Sequence, residues 1–302
     1  MGLGSLQDSL EPSLAAAPAT VGFLRRRWQL FAFVFTSGHN GAVSESHTCA
    51  LLQYDVVKGE VARNEASIHR LLDKIPSSRP LIALVPEAAT SNFSHSKADE
   101  IAGETREAVQ RLSERCRAEG FSLYGSFVVK DGDGFFNEGL LLRSDGTKEV
   151  YRKVHLFEPA GEHTFYREGT GQVVADLGEG LRAGLTICYD LRFPEWVGRL
   201  VEKGANALFC VAQWPEPRRD HWDTLLKARA IENLCWVAAV NRTGEGPKDR
   251  FNGGSAIYSP WGERVAFVPD NEEGIACAVL DLGTVADARH RLPTLGRRFR
   301  NG

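Results

Sequence analysis

The chain has 302 residues, 43% of them hydrophobic and 25% charged, and its 36 basic against 39 acidic side chains leave a formal charge of -3. That length suits one large layered domain burying roughly 75% of its unfolded surface, and the near balance of charge argues against a nucleic acid or an anionic membrane as main partner. Six widely spaced cysteines (Cys49, Cys116, Cys188, Cys210, Cys235, Cys277), with no Cys-x-x-Cys pair and no His-rich spacing, argue against a zinc site and fit reduced thiols in a cytosol-like compartment.

Residues 1–48 differ from the rest. An Ala-, Ser-, Gly- and Pro-rich start leads to Arg25, Arg26 and Arg27 and the apolar stretch Trp28 to Phe35, which is far shorter than the roughly 20 residues a bilayer span needs. Asp8 and Glu11 count against a transit peptide. The segment reads as a disordered or targeting extension, and 49–302 as a single domain, since no repeat or low-complexity linker divides it.

From Cys49 the pattern alternates strand and helix. Strands are predicted at Cys49 to Gln53, Leu81 to Val85, Ser122 to Val129, Glu138 to Arg143, Arg182 to Ile187, Ala205 to Val211, Trp236 to Val240, Gly254 to Tyr258 and Gly274 to Leu280. Many are continuous apolar runs, as in strands covered on both faces or stacked on a second sheet. Helices are predicted at Asn64 to Lys74, Gly103 to Ala118, Glu195 to Lys203 and Trp222 to Asn233; in the last, Trp222, Leu225, Leu226, Arg229, Ala230 and Asn233 share one face. Asp131 to Gly134 and Ser144 to Thr147 read as hairpin turns. The sequons at Asn92 and Asn241 read as accidental.

Three strand ends carry candidate chemistry. Cys188 stands where Leu185-Thr186-Ile187 breaks into the polar turn Tyr189-Asp190-Leu191-Arg192, a place for a nucleophile, although a free cysteine is more often a small buried hydrophobe. Glu87 follows the apolar strand Leu81 to Val85 and Pro86, in partly dry surroundings that would raise its pKa toward the range of a useful general base. Lys153 lies in Tyr151-Arg152-Lys153-Val154-His155; near the thiol, its ammonium would lower the cysteine pKa and stabilise an oxyanion. Glu162 is a candidate to orient Lys153 or the substrate amide, with Glu158 as its competitor. Singly, a solvated glutamate and a surface lysine are the simpler readings. Together the three supply what cleavage of a carbon-nitrogen bond needs: a thiol nucleophile, an oxyanion donor and a proton carrier.

In their order, Glu87, Lys153 and Cys188 resemble the nitrilase superfamily of carbon-nitrogen hydrolases over about 49–302. The stretches Gln213-Trp214-Pro215-Glu216-Pro217-Arg218, His221-Trp222 and Lys227 to Asn233, with Gly161-Glu162-His163 and Tyr166, look like its omega-amidase branch. The resemblance implies a four-layer α-β-β-α sandwich, with Glu87 as general base and acid, Lys153 as oxyanion cation, Cys188 as nucleophile, Glu162 as second glutamate and the Tyr189 amide completing the oxyanion hole. It implies a small amide as substrate, 2-oxoglutaramate or 2-oxosuccinamate, with no metal or organic cofactor. It also implies a homodimer formed through the outer helices, while the reduced thiols point to the cytoplasm, with organelle targeting by the N-terminal extension as the alternative.

A carboxylate at the far end of such a substrate calls for a cation, and Arg218, Arg219 and Arg192 are the candidates. Arg218 is favoured and Arg192 is expected to pair with a nearby acid. Trp214 is a candidate pocket wall, with core packing as the alternative. Ala88 and Ala89 replace the bulkier side chains typical of the branch, which predicts an enlarged acyl site. Rival readings are a nitrilase, an N-carbamoyl amidohydrolase, a deaminated glutathione amidase, or a non-catalytic binding module on the same fold. Gly169-Thr170-Gly171 lacks the spacing of a phosphate loop and Gly253-Gly254-Ser255 the pattern of a serine elbow.

Overall fold

The computed structural model describes residues 46–76, 81–246 and 248–298. Its elements follow one plan twice. In the first half, β1 (Ser46–Gln53), α1 (Val61–Leu72), β2 (Leu81–Leu84), α2 (Ala98–Glu119) and β3 (Ser122–Asp131) make two parallel crossovers. The chain then returns through the antiparallel β4 (Gly134–Leu142) and β5 (Lys148–Arg152). In the second half, β6 (Val174–Asp176) pairs antiparallel with β7 (Arg182–Ile187), and α3 (Pro194–Glu202), β8 (Ala207–Ala212), α4 (Arg219–Asn233) and β9 (Trp236–Asn241) complete two more parallel crossovers. A ribbon of β10 (Thr243–Glu245) and β11 (Arg250–Asn252) precedes β12 (Ala256–Tyr258), β13 (Arg264–Phe267), β14 (Gly274–Asp281), α5 (Leu282–Arg291) and α6 (Leu295–Arg298).

Two six-stranded sheets result, ordered β14-β1-β2-β3-β4-β5 and β13-β12-β9-β8-β7-β6. Side chains alternate across each strand, so both faces of the central strands must be apolar. In β1, Cys49 and Leu51 face the opposite sheet, packing in one cluster with Tyr124, Leu185, Phe209 and Val240. Ala50 and Leu52 face outward, onto Ile68 and Leu71 of α1 and Leu112 of α2. On the other side Leu200 of α3 and Trp222 and Leu226 of α4 cover Leu208, Cys210 and Val237. This is the expected α-β-β-α sandwich. The α4 face follows the period: Trp222, Leu226, Arg229, Ala230 and Asn233 are buried.

The differences from the sequence reading lie in short or polar segments. β5, β6, β10, β11, β13, α5 and α6 were not predicted; β6, β10 and β11 span three residues each, too few to show a period. β1 starts at Ser46 rather than Cys49. The reading of 1–48 as an extension falls, for residues 1–45, outside the described residues. Asn92 and Asn241 are buried, with their side-chain amides bonded to main-chain carbonyls, so neither sequon is open to modification. Among the described residues no helix is long and apolar enough to cross a membrane.

Candidate active site

Parallel strands bring several chain exits to one end of a sheet, where loops can converge on a ligand. Here the segments leaving β2, β5, β7 and β8 meet, and they line one cavity of about 480 Å³ with Glu87, Lys153, Glu162 and Cys188 in its wall. Three of these are almost wholly enclosed: Glu87 is 1%, Lys153 2% and Glu162 7% exposed.

The enclosed charges are tightly paired. Lys153 Nζ donates to Glu87 Oε1 (2.8 Å) and to Glu162 Oε2 (2.7 Å) and Oε1 (3.0 Å). Asn137 on β4 donates through Nδ2 to both carboxylates, at 2.8 Å to Glu87 and 3.1 Å to Glu162. The Gln213 main-chain N–H donates to Glu87 Oε2 (2.9 Å) and the Phe157 N–H to Glu162 Oε2 (2.7 Å). One ammonium thus serves two carboxylates. Burial, with the Glu162 charge beside it, pushes the Glu87 carboxyl above its ordinary value, while Lys153 opposes the shift. The Lys153 ammonium, despite the cost of burial, is held charged by Glu162 and Glu87. Of the two sequence candidates for its partner, Glu162 occupies the site and Glu158 is exposed.

The backbone around the reactive groups is constrained. Cys188 adopts φ 45°, and Ala88, directly after Glu87, adopts φ 46°; such left-handed conformations are uncommon outside glycine and mark positions the surroundings impose. Asp190 imposes much of the first. Its Oδ2 accepts from the Ile187 N–H (2.9 Å) and the Tyr151 hydroxyl (2.7 Å), and its Oδ1 lies 2.7 Å from His155 Nδ1. Arg229 reaches across from α4 to the Leu191 carbonyl with Nε and an NH2 nitrogen, at 3.1 and 2.8 Å. The Lys153 side is fixed by Gly169, whose N–H donates to the Lys153 carbonyl (2.9 Å) and where a Cβ would fall 2.1 Å from the Arg152 carbonyl oxygen. That close approach, not phosphate binding, explains the glycine.

Cys188 keeps partial exposure, and its Sγ lies 3.8 Å from the Gln213 carbonyl oxygen. Lys153 lowers the thiol pKa as expected, but its effect is outweighed. Burial and the Glu87 charge push the pKa well up, and Lys153 offsets only part of the rise. Tyr189 lines the cavity and stands in the first turn of the 3-10 segment Cys188–Arg192, where N–H groups have no partner within the turn.

The cavity mouth carries Lys58, Arg192, Arg218 and Lys248. Arg218 lies over the Phe157 ring at 5.4 Å. Arg192 stacks on Trp214 at 4.6 Å and contacts His221, so the acid partner expected for it is replaced by aromatic neighbours. Arg219 is not in the lining; it is held by Asp223 and Asp270. Trp214 is both wall and core: it lines the cavity while buried against Trp222, and its Nε1 donates to the Arg218 carbonyl (2.7 Å). The two alanines expected to enlarge the acyl site are not in the cavity lining. Ala88 and Ala89 are fully buried, and Phe93, Phe165 and Tyr166 pack around Ala88.

Sequence reasoning missed Asn137 and Asp190 as site residues. Asp190 had a local signal, an acid two residues after Cys188 in the turn that closes an apolar strand. Asn137 had none, because its role depends on the register that sets its carbonyl against the Lys153 N–H (3.0 Å). Among the described residues no group of three or more His, Cys, Asp or Glu is gathered to hold a metal ion.

The comparisons with known proteins agree with this geometry. Residues 48–290 match the family model described as carbon-nitrogen hydrolase. The chain is 38% identical over 250 residues to a 2-oxoglutaramate amidase of Bacillus subtilis (strain 168), covering 82% of this chain and 95% of that one. It is 34% identical to the omega-amidase YafV of Escherichia coli (strain K12), covering 80% and 93%. Among solved structures, XC1258 from Xanthomonas campestris, a CN-hydrolase superfamily protein with an arsenic adduct in its active site, superposes with a TM-score of 0.74 at 29% identity, covering 83% of this chain and 97% of that one. The chain belongs to the carbon-nitrogen hydrolase family, within the nitrilase superfamily, and is a hydrolase of carbon-nitrogen bonds other than peptide bonds.

Proposed function

We propose that the protein is a cysteine-dependent omega-amidase that hydrolyses the terminal amide of a small omega-amidodicarboxylate, of the 2-oxoglutaramate or 2-oxosuccinamate type, to carboxylate and ammonia. The observation that carries this reading is the enclosed Glu87-Lys153-Glu162 cluster in the wall of a cavity that also contains Cys188 and has a cationic mouth.

In this reading Cys188 attacks the amide carbon as Glu87 takes the thiol proton, whose loss without a base is disfavoured by burial and the Glu87 charge. Lys153 and the Tyr189 N–H stabilise the oxyanion. Glu87 passes its proton to the departing ammonia, leaving a thioester on Cys188; it then deprotonates a water that releases the acid and restores the thiol. Glu162 holds Lys153 charged and in place. Arg218 at the mouth takes the distal carboxylate, with Trp214 as a wall. Both named relatives, an amidase of 2-oxoglutaramate and an omega-amidase, support the substrate class. The reading extends to a homodimer formed through α3 and α4 in the cytoplasm, which light scattering and cell fractionation would check.

The test is ammonia release from 2-oxoglutaramate by the wild type and by Cys188→Ala. Turnover by the wild type alone supports the proposal; turnover by both removes the thiol mechanism. Turnover by neither moves the substrate to another amide, carbamoyl or nitrile class, which a substrate panel would identify.

A further inference from the structure

One enclosed hydroxyl in the cavity wall has no part in these steps. Tyr166 is 3% exposed, lines the cavity, and its hydroxyl has no hydrogen-bond partner among the described residues. A buried donor without an acceptor is costly, and native structures rarely leave one so without reason. The ring is fixed: it sits edge-on to Phe165 at 5.0 Å, His95 at 5.7 Å and Phe93 at 5.8 Å, and the Tyr166 N–H donates to the Glu162 carbonyl (2.9 Å). Packing of this kind holds a hydroxyl ready for a partner that arrives with the ligand.

The surroundings select the partner. Burial, with the Glu162 and Glu87 charges outweighing Lys153 beside it, pushes the pKa of this phenol up, so it remains a donor at neutral pH. The same negative field opposes a second anion beside it, which leaves a neutral oxygen as the fitting acceptor. The distal carboxylate finds its cations at the mouth instead.

We propose that the Tyr166 hydroxyl donates a hydrogen bond to a keto oxygen on the acyl chain, and so makes the site selective for 2-oxo acids over their deoxy analogues. The inference rests on the amidase reading for the substrate's placement, but its test does not need turnover. The probes are 2-oxoglutarate and glutarate, which differ at that one position, titrated calorimetrically into Cys188→Ala and into Cys188→Ala/Tyr166→Phe. The first variant should bind 2-oxoglutarate about tenfold more tightly than glutarate, as expected for one neutral donor. The double variant should lose that preference while its glutarate affinity stays unchanged. A preference that survives Tyr166→Phe, equal weakening of both ligands, or no preference in Cys188→Ala itself overturns the proposal; the last outcome requires no folded double variant. Wild-type ammonia release from 2-oxoglutaramate separates the two claims. Turnover without the preference sinks the role of Tyr166 alone, and the preference without turnover sinks the assignment of 2-oxoglutaramate as substrate alone.

Discussion

The closed end of the cavity and its mouth obey opposite rules. At the closed end, Glu87, Lys153 and Glu162 are nearly inaccessible and each is bonded to at least two others of the site. At the mouth, Lys58 and Lys248 are exposed and Arg192 and Arg218 half-buried, with aromatic rings under the two arginines. Charges in a dry, fully bonded cluster cannot be removed singly without leaving an uncompensated ion, whereas charges facing water are screened and adaptable. The comparison teaches that the groups proposed to break the bond are held rigidly, while the cations proposed for the distal carboxylate stand where side chains can change at little cost to the fold.

That contrast is open to attack at both ends. Cys188→Ala should lower kcat by about 10⁴-fold or more with an unchanged thermal melt, since the nucleophile carries the reaction without being part of the enclosed ion cluster. Lys153→Met should lower kcat by about 10²- to 10³-fold through the lost oxyanion charge. The same change should also cost about 3–5 kcal/mol in urea denaturation, because two buried carboxylates lose their cation; a variant of normal stability would refute the picture of a tight cluster.

The pH profile sharpens the same point. In the proposed mechanism Glu87 must be ionised to accept the thiol proton, and burial holds its carboxyl above the ordinary glutamate value. Activity should therefore fall as pH drops through that raised value, by about tenfold per pH unit, and not hold until the range of a free carboxylate. At the mouth, Arg218→Ala should raise KM about five- to tenfold and leave kcat nearly unchanged, the signature of lost uniform binding. Lys58→Ala should have the smallest effect, about a twofold rise in KM at low salt that disappears at about 0.5 M salt.

Much of this architecture was legible because it rests on local signals. The runs ending at Glu87 and Ile187 announced strand ends, and the 3.6 period of Trp222 to Asn233 announced a helix that the structure buries on that face. What escaped depends on contacts distant in the chain. β5, with the sequence Lys-Glu-Val-Tyr-Arg, is an edge strand whose polar residues conceal it. Asn137 joins the site through strand register, and Arg219 leaves it because Asp270, 51 residues away, holds its guanidinium. The Ala88-Ala89 pair was read as space at the acyl site, but both are buried away from the cavity lining, Ala88 in one cluster with Phe93, Phe165 and Tyr166. Volume is set by what packs in three dimensions, not by the size of one side chain.

The most direct test of a thiol attack assisted by Glu87 and Lys153 is intact-protein mass spectrometry on enzyme quenched with acid during turnover of 2-oxoglutaramate. The account predicts a mass increase matching the acyl group, located by peptide mapping to the peptide bearing Cys188 and absent from Cys188→Ala. An unmodified Cys188 throughout turnover, with the acyl group on another residue or on none, would contradict it.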